Sequence, residues 1–447
     1  MARRSKRPPL MIYANGKWVG TWEITGRGEH LLTYAASWTE SPRGRPLSLS
    51  LPFLPGNRSH RGVSVQAYFE NLLPDSVEIL RRVQARFGAP SIGAFDLLSE
   101  IGRDCVGAIQ ILPMDEAAPD VRSIRGAALT EGDVAALLRH TSIMPGRVLS
   151  GKDEFRISIA GAQEKTALLY HEGRWMVPQG ATPSTHILKL PLGQVSDFDV
   201  DLSSSPENEW LCNRILDAFG LPVPETAVSR FEDQRALVVT RFDRALSSDG
   251  RWIIRRPVED FCQATATPPS RKYESDGGPG MATILKILSA SRIGGDRVTF
   301  LTAQLLMWML AAPDAHAKNF SIYLEPEGRF RLTPFYDVLS AWPVIGHGSS
   351  RIPLQRLRMA MAVTGKNRHY RWDAIAARHW IDTARRQGIP ADATVDIIRN
   401  LIEHTEPVID RVISELPRDF PEATATAIFE GLRASAYRLR RELPVDS

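Results

Sequence analysis

The sequence predicts an α+β protein of two lobes, a strand-rich half followed by a helix-rich half, with a cleft between them. Three observations carry this. Up to residue 256 the chain is rich in short β-branched and alternating runs. From 257 onward, segments such as "DRVTFLTAQLLMWMLAA", "YRWDAIAARHWIDTARRQG" and "ATVDIIRNLIEH" repeat apolar residues at helical spacing. The 447 residues, 43% hydrophobic and 24% charged, are enough for two or more packing units without disulfide or metal staples.

In chain order, "LMIYANGKWVGTWEI" holds two strands around Asn15-Gly16, a hairpin signal. "VQAYFENLLPDSVEILRRVQARFG" alternates at helical spacing and stops at Gly88. "CVGAIQILP" is a strand ending at Pro113. A polar loop and the helix "EGDVAALLRHT" form a joint to the next unit. Strands then return in "FRISIAGAQEKTALLYHEGRWMVP" and "STHILKLP". The helix "PENEWLCNRILDAFG" is closed by Gly220 and Pro222, and "ETAVSRF" and "RALVVTRFDR" are strands. The expected units are residues 1–140, mixed α/β; 141–256, a second strand-rich unit; and 257–447, all-α.

Cys105, Cys212 and Cys262 are too sparse for a disulfide framework, and no CxxC pair offers a zinc site. "MARRSKRPPL" is basic but no apolar stretch follows it, and no run of eighteen apolar residues occurs. The expectation is a cytoplasmic protein with no membrane partner. The net charge of +4 permits nucleic-acid contact without demanding it. Residues 351–400 hold ten Lys and Arg against four Asp and no Glu, a pattern that a solvated helical surface also explains.

The residues that carry chemistry come late. "PDAHAKNFSIYL" sets Asp314 and Asn319 five residues apart, and "TPFYDV" adds Asp337. Protein kinases use D-x-x-x-x-N to set a carboxylate beside the attacking hydroxyl and an amide oxygen on Mg²⁺; a later Asp holds the metal at the β- and γ-phosphates. Mg²⁺ takes oxygen ligands, usually one or two carboxylates plus phosphate and water. Alone the pattern is weak, since an Asp-rich loop is ordinarily a turn. It gains weight from what precedes it. "SIAGAQEKTALL" is a strand, a loop of small residues (Ala160, Gly161, Ala162) and another strand. Small side chains let backbone N–H groups approach phosphates, although this is neither a Walker A nor a GxGxxG motif. Lys189 lies on the apolar strand "THILKLP", suited to bridging α- and β-phosphates. Glu209 on the following helix offers the opposite charge that would keep it protonated; an acid near a helix N-terminus is also favoured by the dipole alone. "VVTRFDR" runs from an apolar strand into a loop at the lobe boundary, a place for adenine beside Phe242. Phosphate loop, Lys, helix Glu, hinge, Asp-x-x-x-x-Asn and Asp follow one another in the order of the kinase part list, which points to ATP- and Mg²⁺-dependent phosphoryl transfer.

"SLSLPFLPG", "ENLLPDS", "FDLLSEIGRDCVGAI", "FRISIAGAQEKTALL", "THILKLP", "RFDR", "KYESDGGPG", "DAHAKNFS" and "RLTPFYDV" resemble the HipA toxins over nearly the whole chain. These are the serine/threonine-kinase half of HipBA toxin–antitoxin modules. The resemblance implies a kinase-like ATP cleft between an N-terminal α/β part and an all-α C-terminal part. It implies Asp314 as catalytic base, Asn319 and Asp337 on Mg²⁺, and Lys189 on the ATP phosphates. It makes Ala160, Gly161, Ala162, Gln163, Glu164 and Lys165 the phosphate loop and Thr240, Arg241 and Phe242 the adenine hinge, with His316 and Tyr336 flanking the nucleotide. Ser158 is the implied autophosphorylation site, whose phosphate would eject the loop from ATP. An aminoacyl-tRNA synthetase, typically the glutamyl enzyme, is the implied substrate. A HipB-like helix-turn-helix antitoxin bound to operator DNA is the implied partner, with Arg385 and Arg386 near the region that contacts DNA. Three departures stand out: Thr240 where the family has an acid, Ala315 where it has Gly, and Gly388 where another cation is expected. The competing expectations are a small-molecule phosphotransferase and a catalytically silent corepressor.

Overall fold

The computed structural model describes residues 7–143, 165–195 and 200–443. The N-terminal part is a five-stranded antiparallel sheet. Its spatial order is His60–Arg61, His30–Tyr34, Lys17–Ile24, Leu10–Ala14, Ile109–Pro113. Asn15 and Gly16 turn the first hairpin, both with positive φ (48° and 76°), the conformation Asn-Gly supplies with least strain. One face packs on helices Val63–Glu70 and Ala94–Ile101, where Trp22 stacks on Phe69 with ring centroids 3.7 Å apart.

The helical run expected to continue to Gly88 is broken. Helix Val63–Glu70 ends, Pro74 interrupts the backbone ladder, and Ser76 caps a second helix, Val77–Phe87, by accepting from the Ile79 amide. The break throws Asp75 out of the helix, towards the rest of the chain.

A second antiparallel sheet has the order Thr226–Phe231, Gln234–Thr240, His186–Lys189, Lys165–His171, Arg174–Pro178, Gly126–Ala128. Helix Glu131–Ile143 packs on one face. Helix Ser205–Ala218 lies on the other and continues into the large C-terminal core. That core is built on Asp296–Met309, Ala377–Arg386, Ala391–Glu415 and Glu422–Glu442. At its centre Trp308 and Trp372 stack, and each indole N–H donates to the other's carbonyl, at 3.2 and 2.7 Å.

The α+β class holds, but the expectation of helices alone after residue 257 does not. A three-stranded sheet (Val258–Asp260, Ser321–Leu324, Phe330–Leu332) and a hairpin (Arg358–Thr364, Arg368–Arg371) lie in this part. Most of these strands are three or four residues long, and Ser321–Leu324 is buried on both faces. A buried run that short shows no alternation from which a period could be read.

The N-terminal part is docked by polar contacts. Asn15 and the Arg255 backbone exchange two hydrogen bonds, at 2.8 and 2.9 Å. Ser48 and Ser50 both donate to the Gln263 carbonyl. Asp104 and Asp243 are buried with Arg241, Arg244 and Arg255. Cys105, Cys212 and Cys262 are buried free thiols. Burial pushes the first two up to about 12. Among the described residues no helix is long and apolar enough to cross a membrane.

Candidate active site

The second sheet and the C-terminal part enclose a cleft of about 1390 Å³, counting its mouth. Lys165, Lys189 and Glu209 form one wall; Asp314, His316, Lys318, Asn319, Tyr336 and Asp337 form the other.

Lys189 ends a central strand, so its side chain is delivered to the cleft from a rigid position. It is 6% exposed and lies 2.6 Å from both Glu209 Oε1 and Asp337 Oδ1. Burial alone would lower its pKa, but Asp337 and Glu209 outweigh that and hold it above the ordinary lysine value. Burial likewise opposes ionisation of Asp337, yet Lys189 and Lys165 keep it well below the usual carboxylate range. Burial raises Glu209. Asp337 sits at φ 63°, a left-handed conformation that Asp tolerates better than most residues. Lys165 stands directly opposite Lys189 on the neighbouring strand. Burial lowers it to about 8, aided by the charge of Lys189 and opposed by Asp337 and Glu209.

On the other wall the buried helix Asp296–Met309 ends in a tight turn. Asn319 Nδ2 donates to the Asp314 carbonyl at 2.8 Å, and the His316 amide donates to the same oxygen. Backbone geometry thus ties Asp314 to Asn319, while the Asp314 carboxylate stays 56% exposed to the cleft. The Tyr273 hydroxyl donates to Asp314 Oδ1. His316 Nε2 lies 3.7 Å from that oxygen. Burial lowers the His316 pKa against the pull of Asp314, and its buried Nδ1 has no partner among the described residues. Tyr336 is pinned by Ser321 Oγ at 2.5 Å and the Lys318 carbonyl at 3.2 Å, and its ring tilts against Phe242.

Asn319 uses its amide nitrogen on the Asp314 carbonyl, which turns the amide oxygen to the outside. Asp337 uses one carboxylate oxygen on Lys189. What remains is an amide oxygen and a carboxylate oxygen lining the same recess, a donor set that suits a hard cation such as Mg²⁺.

The structure therefore brings together Lys165, Lys189, Glu209, Thr240, Arg241, Phe242, Asp314, His316, Asn319, Tyr336 and Asp337. Ser158, Ala160, Gly161, Ala162, Gln163 and Glu164 lie outside the described residues. All three expected hinge residues line the cleft, but two of them have their amides engaged. The amide N–H groups of Thr240 and Arg241 are already donated to Glu225 and Thr185 carbonyls, both at 2.9 Å. The Arg241 guanidinium is engaged by Asp243 and Ser184. A strand edge paired on both sides has no backbone donor left for adenine at these two positions. Arg385 is exposed and pairs with Asp382 at 2.9 Å, whereas Arg386 donates to the Gly365 carbonyl and anchors the hairpin.

Sequence reasoning missed four residues. Asp75, from the N-terminal part, pairs with Lys272 at 2.8 Å and with Lys318, while Tyr273 holds Asp314. Burial works against the Asp75 carboxylate, but Lys318 and Lys272 hold it below the usual range. "ENLLPDS" and "KYESDGGPG" stood out as motifs, but nothing in their spacing says that they meet.

These elements define a two-lobed, kinase-like fold. The chain matches the HipA-like C-terminal domain over residues 157–409 and the HipA N-terminal domain over residues 10–112. It is 30% identical to Y4mE of Sinorhizobium fredii over 411 residues, covering 91% of this chain and 92% of that one. It is 28% identical to the serine/threonine-protein kinase toxin HipA of Shewanella oneidensis over 321 residues, 69% of each chain. A chain of the Shewanella oneidensis MR-1 complex of HipA, HipB and operator DNA superposes with a TM-score of 0.77 at 23% identity, covering 98% of this chain and 100% of that one. The chain belongs to the HipA family.

Proposed function

We propose that the protein is the toxin of a type II toxin–antitoxin pair and works as a Mg-ATP-dependent protein serine/threonine kinase. The observation that carries this is the facing of Lys189, gripped by Glu209 and Asp337, against Asp314 and Asn319 across one cleft. Asp314 accepts the proton of the acceptor hydroxyl. Lys189 holds the nucleotide phosphates, and Asn319 and Asp337 would hold Mg²⁺. Bound Mg-ATP supplies the transferable phosphoryl group and neutralises its developing charge. Phe242 and Tyr336 flank the base.

In this reading Ser158 is the self-modification site. A phosphate of charge about −1.5 to −2 there cannot share space with ATP phosphates, so the kinase silences itself. The substrate is an aminoacyl-tRNA synthetase of the glutamyl type; its phosphorylation stops translation and arrests growth, giving persistence. A HipB-like antitoxin and operator DNA are the partners. Arg385, free to face solvent, is the better placed of the two arginines for a sequence-independent phosphate contact.

The test is incubation of purified protein with Mg-ATP, followed by intact mass and peptide mapping. One added phosphate at Ser158, absent in Asp314→Asn, is the expected result. An unphosphorylated starting protein that gains none overturns the kinase and leaves a corepressor. The same incubation with glutamyl-tRNA synthetase tests the substrate.

A further inference from the structure

The stretch "YFENLLPDS" lies far from the catalytic turn in sequence and belongs to a separate core, yet it makes a row of polar contacts along the cleft side of the C-terminal part. The Tyr68 carbonyl accepts from Gln263 Nε2 at 3.1 Å. Asn71 Nδ2 donates to the Thr267 carbonyl at 2.9 Å. The Leu73 carbonyl accepts from Lys318 Nζ at 3.4 Å. Asp75 closes the row, with Oδ1 on Lys318 and Oδ2 on Lys272 at 2.8 Å.

Each lysine is one residue from a group of the site. Lys318 immediately precedes Asn319. Lys272 immediately precedes Tyr273, whose hydroxyl donates to Asp314 Oδ1. A single carboxylate therefore reaches the catalytic turn by two routes, one through Lys318 to the Asn319 end and one through Lys272 and Tyr273 to the Asp314 side chain. Lys318 is also 5% exposed, so its charge has no solvent to fall back on if Asp75 is lost.

We infer that Asp75 is a positioning residue for phosphoryl transfer, contributed by the N-terminal part, which locks the segment 314–320 in its working geometry. This rests on the kinase reading for its catalytic consequence, but not for its structural one. The N-terminal part is then a component of the active site, not an appendage to it.

The experiment uses the full chain and its Asp75→Asn variant, with two readouts. The first is steady-state phosphoryl transfer, resolved into kcat and KM for ATP. The second is hydrogen–deuterium exchange of the peptide covering 314–320, without nucleotide. The expected result is a kcat lower by about 10²-fold, the cost of misplacing reacting groups by about one ångström. KM stays near wild type and exchange in 314–320 is faster. Asp75→Glu, which keeps the charge but moves it by one methylene, should fall between. Wild-type kcat together with wild-type exchange in 314–320 overturns the inference, as does a loss confined to KM. If Asp75→Asn does not fold, Asp75→Glu decides by the same two readouts. If the wild-type protein transfers no phosphate, the kinase reading fails, and exchange alone decides whether Asp75 locks the turn.

Discussion

Replacing Asp243 by Asn tests what fixes the N-terminal part to the hinge. Asp243 accepts from Arg241 Nε at 3.0 Å and from Arg241 Nη2, Arg244 Nη1 and the Gly107 amide, each at 2.8 Å. Asp104, the other carboxylate of the cluster, accepts from the Ser184 amide and hydroxyl and from Arg244. Three guanidiniums already share two carboxylates in a site closed to water. Asn at 243 leaves three cations against one anion and turns an amide N–H towards guanidinium donors. One charge-assisted hydrogen bond contributes about 1.5–3 kcal/mol. Leaving buried cations without their partner costs more, about 3–5 kcal/mol, because the arginines stay desolvated after the charge is gone. The second effect governs, and the expected loss is about 3–5 kcal/mol, a large share of a typical total of about 5–15 kcal/mol. Urea unfolding followed by circular dichroism measures it. The pH dependence gives an independent sign. Burial opposes ionisation of Asp243, but Arg241 and Arg244 outweigh it and hold the pKa below the unfolded value of 3.8. Its stabilisation is thus fully present above that value and is lost as pH falls through and below it. The wild-type protein should weaken on acidification below about pH 4, and the variant should weaken less. A loss under about 1 kcal/mol at neutral pH would refute the reasoning, since even one charge-assisted bond exceeds it.

Three further outcomes are expected. Asp314→Asn should lower phosphoryl transfer by about 10²–10⁴-fold, the worth of a general base, while calorimetric ATP binding is kept. Burial pushes Glu259 up to about 8, with Asp260 adding to the shift and the Leu49 amide opposing it. A raised acid stabilises fully below its unfolded value of 4.5 and loses that contribution as pH rises towards 8. Glu259→Gln should therefore match the wild type in acid and exceed it in urea midpoint at alkaline pH; equal midpoints at both would count against a neutral Glu259. A Cβ at Gly431 would lie 2.2 Å from the Trp342 ring. Gly431→Ala should cost about 1–3 kcal/mol in a thermal melt despite the better helix propensity of Ala.

How much was legible in the sequence depended on the range over which each feature is determined. The Asn15-Gly16 hairpin, the Lys189–Glu209 pair and the Asp314–Asn319 turn are set by residues near one another or by long patterned elements, and each could be read. Asp75 could not. Its role depends on Pro74 breaking a helix whose apolar spacing runs on without interruption, and on two lysines roughly two hundred residues downstream. Arg241 was read as a hinge residue because it adjoins Phe242. The strand ends at Thr240, however, and in the turn that follows the guanidinium is taken up by Asp243 and Ser184, long-range packing that the local sequence does not announce. Val258–Asp260 and Ser321–Leu324 were invisible because burial on every side erases alternation, and Phe330–Leu332 because three residues are too few to show a period.

The three cysteines have a practical consequence. Cys105 lies beside the arginine cluster, Cys212 on the helix that supplies Glu209, and Cys262 in the turn that receives Ser48 and Ser50 through Gln263. Each thiol is sealed and held far from ionising. An alkylating reagent reaches none of them until the surrounding packing opens, and the thiolate, not the thiol, is what reacts. The native chain thus carries three built-in reporters at the docking cluster, the lysine-gripping helix and the short helix Phe261–Ala264 beside the cleft. Their separate alkylation rates rank how readily each region breathes.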